Sequence, residues 1–128
     1  MRSYDLTIAS LAIDAPLKWA DNVLSQHHLP GVASPGRGLA RRISHPVLLL
    51  LALTRELHLT LGLGVRDAVA LGRQLLSDES SGDVRRGPVH VALDRAALER
   101  MVESRLREAL ESAPRPRRGR PPRRNGAK

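Results

Sequence analysis

Apolar positions along the chain predict a succession of short helices, then a strand and one longer helix. In Thr7–Leu24, Thr7 can cap a helix that buries Ile8, Leu11 and Ala12, with Ala9 as a small packing residue. Ile13–Asp14–Ala15 breaks the pattern. Pro16 suits the first turn of a second helix, about Pro16–Ser25, which would bury Ala20, Val23, Leu24 and either Leu17 or Trp19. Two short helices joined by a tight turn form the skeleton of a helix-turn-helix. Leu29–Pro30–Gly31 ends the unit. Gly31–Arg42 is rich in glycine and arginine and reads as a hairpin or loop displaying Arg37, Arg41 and Arg42, with Ile43 as its anchor in the core.

Ser44 is a good N-cap, and a helix over about His45–Leu59 should follow. It is apolar nearly all round at Val47–Leu53, as a central core helix would be. Leu57 and Leu61 should continue its buried face, with Arg55, Glu56 and His58 outside. Gly62–Leu63–Gly64 is a stop signal, and Val65–Leu76 is a further amphipathic helix. Residues 77–88 are polar, Gly/Ser-rich and linker-like. Val89, Val91 and Leu93 alternate with His90 and Ala92, as in a strand. A lone strand is not stable. Its partner would be the same strand in a second subunit or the hairpin near residue 35. Asp94 then caps a helix over Arg95–Ser112 with Leu98, Met101, Val102 and Leu106 on one stripe. In the segment 89–112, Val89, Val91, Leu93 and that stripe would serve dimerisation, contact with a toxin-like protein partner, or the chain's own core.

Charge changes this picture at one end. Of the formal net +8, +7 falls on residues 113–128, which hold six arginines, Lys128 and no acid; +1 is left for the other 112 residues. That concentration points to a polyanion. The tail also has four prolines, two glycines and no large apolar side chain, a composition that favours disorder. The absence of cysteine excludes disulfides, a thiolate nucleophile and Cys-ligated zinc. The longest apolar run, Val47–Leu53, is too short to span a bilayer, and no signal peptide is evident, so a cytoplasmic, nucleoid-associated location is expected. The histidines lack metal-ligand spacing. No phosphate loop or nucleophile elbow occurs, so neither a cofactor nor an enzyme activity is expected. Glu99, Glu103, Glu108 and Glu111 alternate with arginines, as on a solvated helix face.

Two resemblances sharpen the expectation. Arg118–Gly119–Arg120–Pro121, with Arg117 before it, resembles the core of an AT-hook. Such an element would place extended arginines in the narrow minor groove of AT-rich DNA. The order Tyr4–Asp5–Leu6, helix-turn-helix, Gly/Arg segment, Arg41–Arg42–Ile43–Ser44 and two helices split at Leu61–Gly62–Leu63 is similar to MerR-type and excisionase-like DNA-binding domains. The resemblance implies a mainly α winged helix-turn-helix over residues 1–76. Lys18, Trp19 and Asn22 would then lie on a recognition helix, Arg37, Arg41 and Arg42 in a wing, and Arg55 would offer a flanking phosphate contact. The sequence departs from that family at Asp21, where arginine is usual, at Asn22 and Val23, where aromatics are usual, and at Ile43, which replaces the wing's aromatic. The expected function is a DNA-binding transcriptional regulator, with double-stranded DNA and a second copy of the chain as partners. An antitoxin-like role through residues 89–112 and a sequence-neutral architectural role are the alternatives.

Overall fold

Asp5, rather than Thr7, begins the first helix: its Oδ1 accepts the Thr7 N–H at 2.7 Å. The computed structural model describes residues 2–27, 29–33 and 41–112. Its elements are β1 (Ser3–Asp5), α1 (Leu6–Ala12), α2 (Leu17–Gln26), β2 (Val32–Ala33), β3 (Arg42–Ser44), α3 (His45–Leu61), α4 (Val65–Leu76), β4 (Asp83–Arg86), β5 (Val89–Ala92) and α5 (Arg95–Ser112). The described residues are mainly helical, with two small antiparallel sheets. None of the described helices is long and apolar enough to cross a membrane.

α1 and α2 meet at a tight turn in which Asp14 takes a positive φ of 55°. The Ala15 N–H closes the turn on the Ser10 carbonyl at 3.0 Å. Pro16 is the N-cap of α2, one position before the first turn where the sequence suggested it. α2 buries Ala20, Val23 and Leu24, a single stripe at helical spacing.

The first sheet has the order β1-β3-β2, with Tyr4 opposite Ile43 and Ile43 opposite Val32. Ile43 is fully buried, so the apolar anchor expected at the end of the Gly/Arg segment is in place. Ser44 joins this sheet to α3. Its N–H donates to the Gly31 carbonyl at 2.9 Å, and its Oγ accepts the Val47 N–H at 3.4 Å as the α3 cap. Gly31 has φ +95°, and a Cβ there would collide with Ser44 Oγ. Gly31→Ala therefore strains the backbone and displaces the cap together. The expected cost is about 2–3 kcal/mol of stability, readable by denaturant unfolding; a loss below about 0.5 kcal/mol would show that this junction relaxes freely.

α3 is the central element, buried continuously from Val47 to Thr54 and again at Leu57. The buried face does not extend to Leu61, which is 57% exposed at the end of the helix. α4 has the bounds that its periodicity predicts, and it packs on α3.

The segment 77–88 is not simply a linker, because it contains β4. β4 pairs with β5 through Val84–Val91 and Arg85–His90. Gly87, at φ +59°, lets the chain reverse between Arg86 and Val89. The strand at 89 thus finds its partner a few residues upstream, not in a second subunit or near residue 35. Val84 is buried, whereas Val89 stays exposed.

α5 starts where Asp94 Oδ1 accepts the Ala97 N–H at 3.0 Å, and it packs on α1 and α3. Leu98, Val102 and Leu106 are buried in the same cluster as Leu48 and Leu51. Met101, Val91 and Leu93 are half-buried against that cluster. The stripe assigned to dimer or partner contact is therefore the chain's own core. Residues 89–112 complete the fold of residues 1–76 and are not a detached module.

Candidate nucleic-acid interface

The outer face of α2 carries Lys18 and Asn22, both exposed, with Ser25 one turn further along. Those positions follow from the inner stripe: once Ala20, Val23 and Leu24 face the core, residues 18, 22 and 25 face out. Asp21, between them, is half-buried, and its Oδ1 lies 3.5 Å from Arg41 Nη1. Arg41 directly precedes β3, so this ion pair ties the first sheet to the outer face of α2. The pair also gives Asp21, a departure from the resembled family, a local partner.

Arg42 is exposed on β3. Its guanidinium donates to the Ser3 carbonyl at 3.1 Å and to Ser3 Oγ at 3.1 and 3.2 Å. It lies across β1 with part of its donor capacity used. Lys18 and Asn22 thus belong to α2, Arg42 to β3, and Arg41 is the residue before β3 that contacts α2 through Asp21. Arg37 and the tail residues Arg117, Arg118, Gly119, Arg120 and Pro121 lie outside the described residues.

Trp19 and Arg55 have a different setting from the one the resemblance implied. Trp19 is half-buried, with the Arg55 guanidinium 5.0 Å from its ring centroid and the His58 ring at 6.3 Å. Arg55 Nε also donates to the Asp14 carbonyl at 3.3 Å. His58 Nδ1 lies 2.7 Å from the Leu63 carbonyl. Trp19 and Arg55 therefore brace α2 and its preceding turn against α3. Cation–π contact and the hydrogen bond that the guanidinium donates to the Asp14 carbonyl hold this brace in place. It positions Lys18 and Asn22 rather than presenting an aromatic to a ligand.

A second cluster joins three elements and was not foreseen. Arg2 Nη2 meets Glu103 Oε2 at 2.7 Å, and the Tyr4 hydroxyl meets His45 Nδ1 at 3.2 Å. His45 Nε2 lies 3.2 Å from Glu99 and 3.9 Å from Glu103. With the ring proton on Nε2, His45 donates to Glu99 and accepts from Tyr4. The hydrogen bond from Arg2 holds the Glu103 carboxyl below its ordinary pKa, and burial raises that of Tyr4. The ligand atoms of His45, Glu99 and Glu103 lie within 4.8 Å of one another, a spacing a cation could use. The Arg2 guanidinium already stands there, 3.3 Å from His45 Nδ1, and serves as the counter-charge. The cluster clamps the N-terminal strand to α5. Glu99 and Glu103 accordingly take partners from other elements instead of forming a purely solvated ladder; Arg105 likewise reaches Glu56 on α3, at 4.0 Å.

No protein-family model matches the chain, and a search of curated proteins returns no match.

Proposed function

We propose that the protein is a double-stranded-DNA-binding transcriptional regulator built on a winged helix-turn-helix. On this reading α1 and α2 form the helix-turn-helix, and β2 and β3 form the base of the wing. α2 enters the major groove with Lys18 and Asn22 outward. Asn22 pairs with an adenine edge, Lys18 reaches guanine or phosphate, and Arg41 and Arg42 meet the backbone. The observation that carries the reading is the Asp21–Arg41 contact at 3.5 Å, which sets the cation just before β3 beside α2. The antitoxin-like alternative is less well supported. Of its proposed contacts in 89–112, Val89 alone is exposed.

The test is selection of sites from random duplex DNA, followed by titration of the selected duplex. Asn22→Ala is expected to weaken binding by about 1–3 kcal/mol, roughly 5- to 150-fold, and to relax preference at one base pair. Lys18→Ala should weaken all sequences alike if it meets phosphate. Both positions are exposed, so circular dichroism should not change. Equal affinity of the unaltered chain for scrambled duplexes would replace this reading with the sequence-neutral architectural one. Normal binding by both variants would remove α2 from the interface.

A further inference from the structure

β5 pairs with β4 along one of its two edges. The Leu93 N–H donates to the Gly82 carbonyl at 2.8 Å. By alternation, Val84–Val91 and Arg86–Val89 are then the pairs that exchange hydrogen bonds across the hairpin. The N–H and C=O groups of His90 and Ala92 therefore point away from β4. Both residues are exposed, and among the described residues no other element supplies their backbone with a partner. The two outer edges of this sheet differ in chemistry. β4 presents Asp83, Arg85 and Arg86, charges that discourage a further strand. β5 consists of Val89, His90, Val91 and Ala92, with no lysine, arginine or acid. Its histidine is engaged by the Asp83 carboxylate at 2.8 Å, and Val89 is 56% exposed.

We propose that the free edge of β5 is a self-association surface. Two copies pair their β5 strands antiparallel about a twofold axis at Val91, which makes one four-stranded sheet in the order β4-β5-β5-β4. The inference does not depend on the DNA reading. Register identifies a second copy as the occupant. With His90 opposite the partner's Ala92, and Ala92 opposite the partner's His90, every outward backbone group of β5 is satisfied at once by four hydrogen bonds. Neighbouring registers do worse. Centred on His90, the pairing sets Ala92 against Pro88, which has no N–H to give. Centred on Ala92, it sets His90 against Asp94, where the chain turns into α5.

Side chains agree with this register. Val91 faces the partner's Val91, and Val89 faces the partner's Leu93, on the side of the sheet that carries Val84. The exposed Val89 and the half-buried Leu93 thereby cover each other. On the other side His90 lies beside the partner's Ala92, so no like charges are opposed. The pairing also answers a weakness of the single chain. A hairpin of two four-residue strands is marginal by itself, and sharing the sheet doubles its strands.

The chain has no cysteine, so a single introduced one reports the contact. Antiparallel residues that face each other without exchanging hydrogen bonds have Cα atoms about 4.5 Å apart, within disulfide reach. Under air oxidation Val91→Cys should form a disulfide-linked dimer, and Glu108→Cys, exposed on α5, should not. Sedimentation equilibrium of the unaltered full chain from about 1 µM to about 1 mM should show monomer and dimer in exchange. Over that range the His90 and Ala92 amides should gain more protection from hydrogen exchange than those of Val89 and Val91, which β4 holds. Ala92→Pro removes an outward N–H from each copy without touching the β4 ladder, and should weaken the dimer about 10-fold or more. Val89→Lys, at an exposed position, sets a charge against the partner's Leu93 and should do the same. Circular dichroism of both variants at low concentration should match the unaltered chain. A chain that stays monomeric over the whole range, a dimer that survives both variants, or equal cross-linking from both cysteine positions would overturn the proposal. Protection of the His90 and Ala92 amides at every concentration would mean that the edge is covered within one chain, and would overturn it too. None of these outcomes bears on whether α2 binds DNA.

Discussion

Replacing Leu106 by alanine lowers the unfolding free energy by about 2–5 kcal/mol, and the loss does not depend on protein concentration. Leu106 is 4% exposed on α5 and packs in the cluster that includes Leu48 and Leu51 of α3. Its truncation leaves a cavity between α5 and the helices it covers. For a domain of this size the transition should move down by about 10–20 °C. A stripe used for self-association would behave otherwise: the unaltered chain would gain stability on concentration, and the alanine variant would lose that gain. A melting temperature that rises with concentration and falls to a common value in the variant would return the stripe to an interface. A shift of less than about 1 kcal/mol would show that α5 is only loosely docked.

The same residue shows where sequence reasoning reaches and where it stops. The spacing of Leu98, Val102 and Leu106 fixes that one face of α5 is buried, and Asp94 and Ser112 bound the helix as expected. Periodicity does not encode what lies against the face. A dimer stripe and a core stripe look alike. Ser44 as a cap, Ile43 as an anchor and Val65–Leu76 as a helix were legible because each rests on local chemistry. β4 was hidden because Val84 is its only apolar residue, so no alternation marks it within a polar segment. The Arg2–Glu103 pair spans 101 positions and leaves no trace in local pattern. At the candidate interface, the exposure of Lys18 and Asn22 follows from the stripe of α2. The link from Arg41 to Asp21, and the brace of Arg55 on Trp19, depend on how elements meet in space.

Ending the chain after Ser112 should flatten the salt dependence of DNA binding more than any single substitution in the body. Every described core residue precedes residue 113, so the shortened chain keeps the packing that holds α2 in place. Each phosphate neutralised contributes about −0.9 to the slope of log affinity against log salt. With all of the tail's +7 engaged, the slopes of the two chains differ by about 6. Between 50 and 200 mM salt the full chain should then lose about 10³–10⁴-fold more affinity than the shortened one. Fewer engaged arginines reduce the difference in proportion, so the slope counts the contacts. Fluorescence anisotropy on one duplex across that range reads both slopes. Parallel lines would mean that the tail meets no phosphate, and Lys18, Arg41 and Arg42 would have to supply the electrostatic part alone. A shallow slope for both chains, with affinity unchanged by the deletion, would count against a DNA role for the tail altogether.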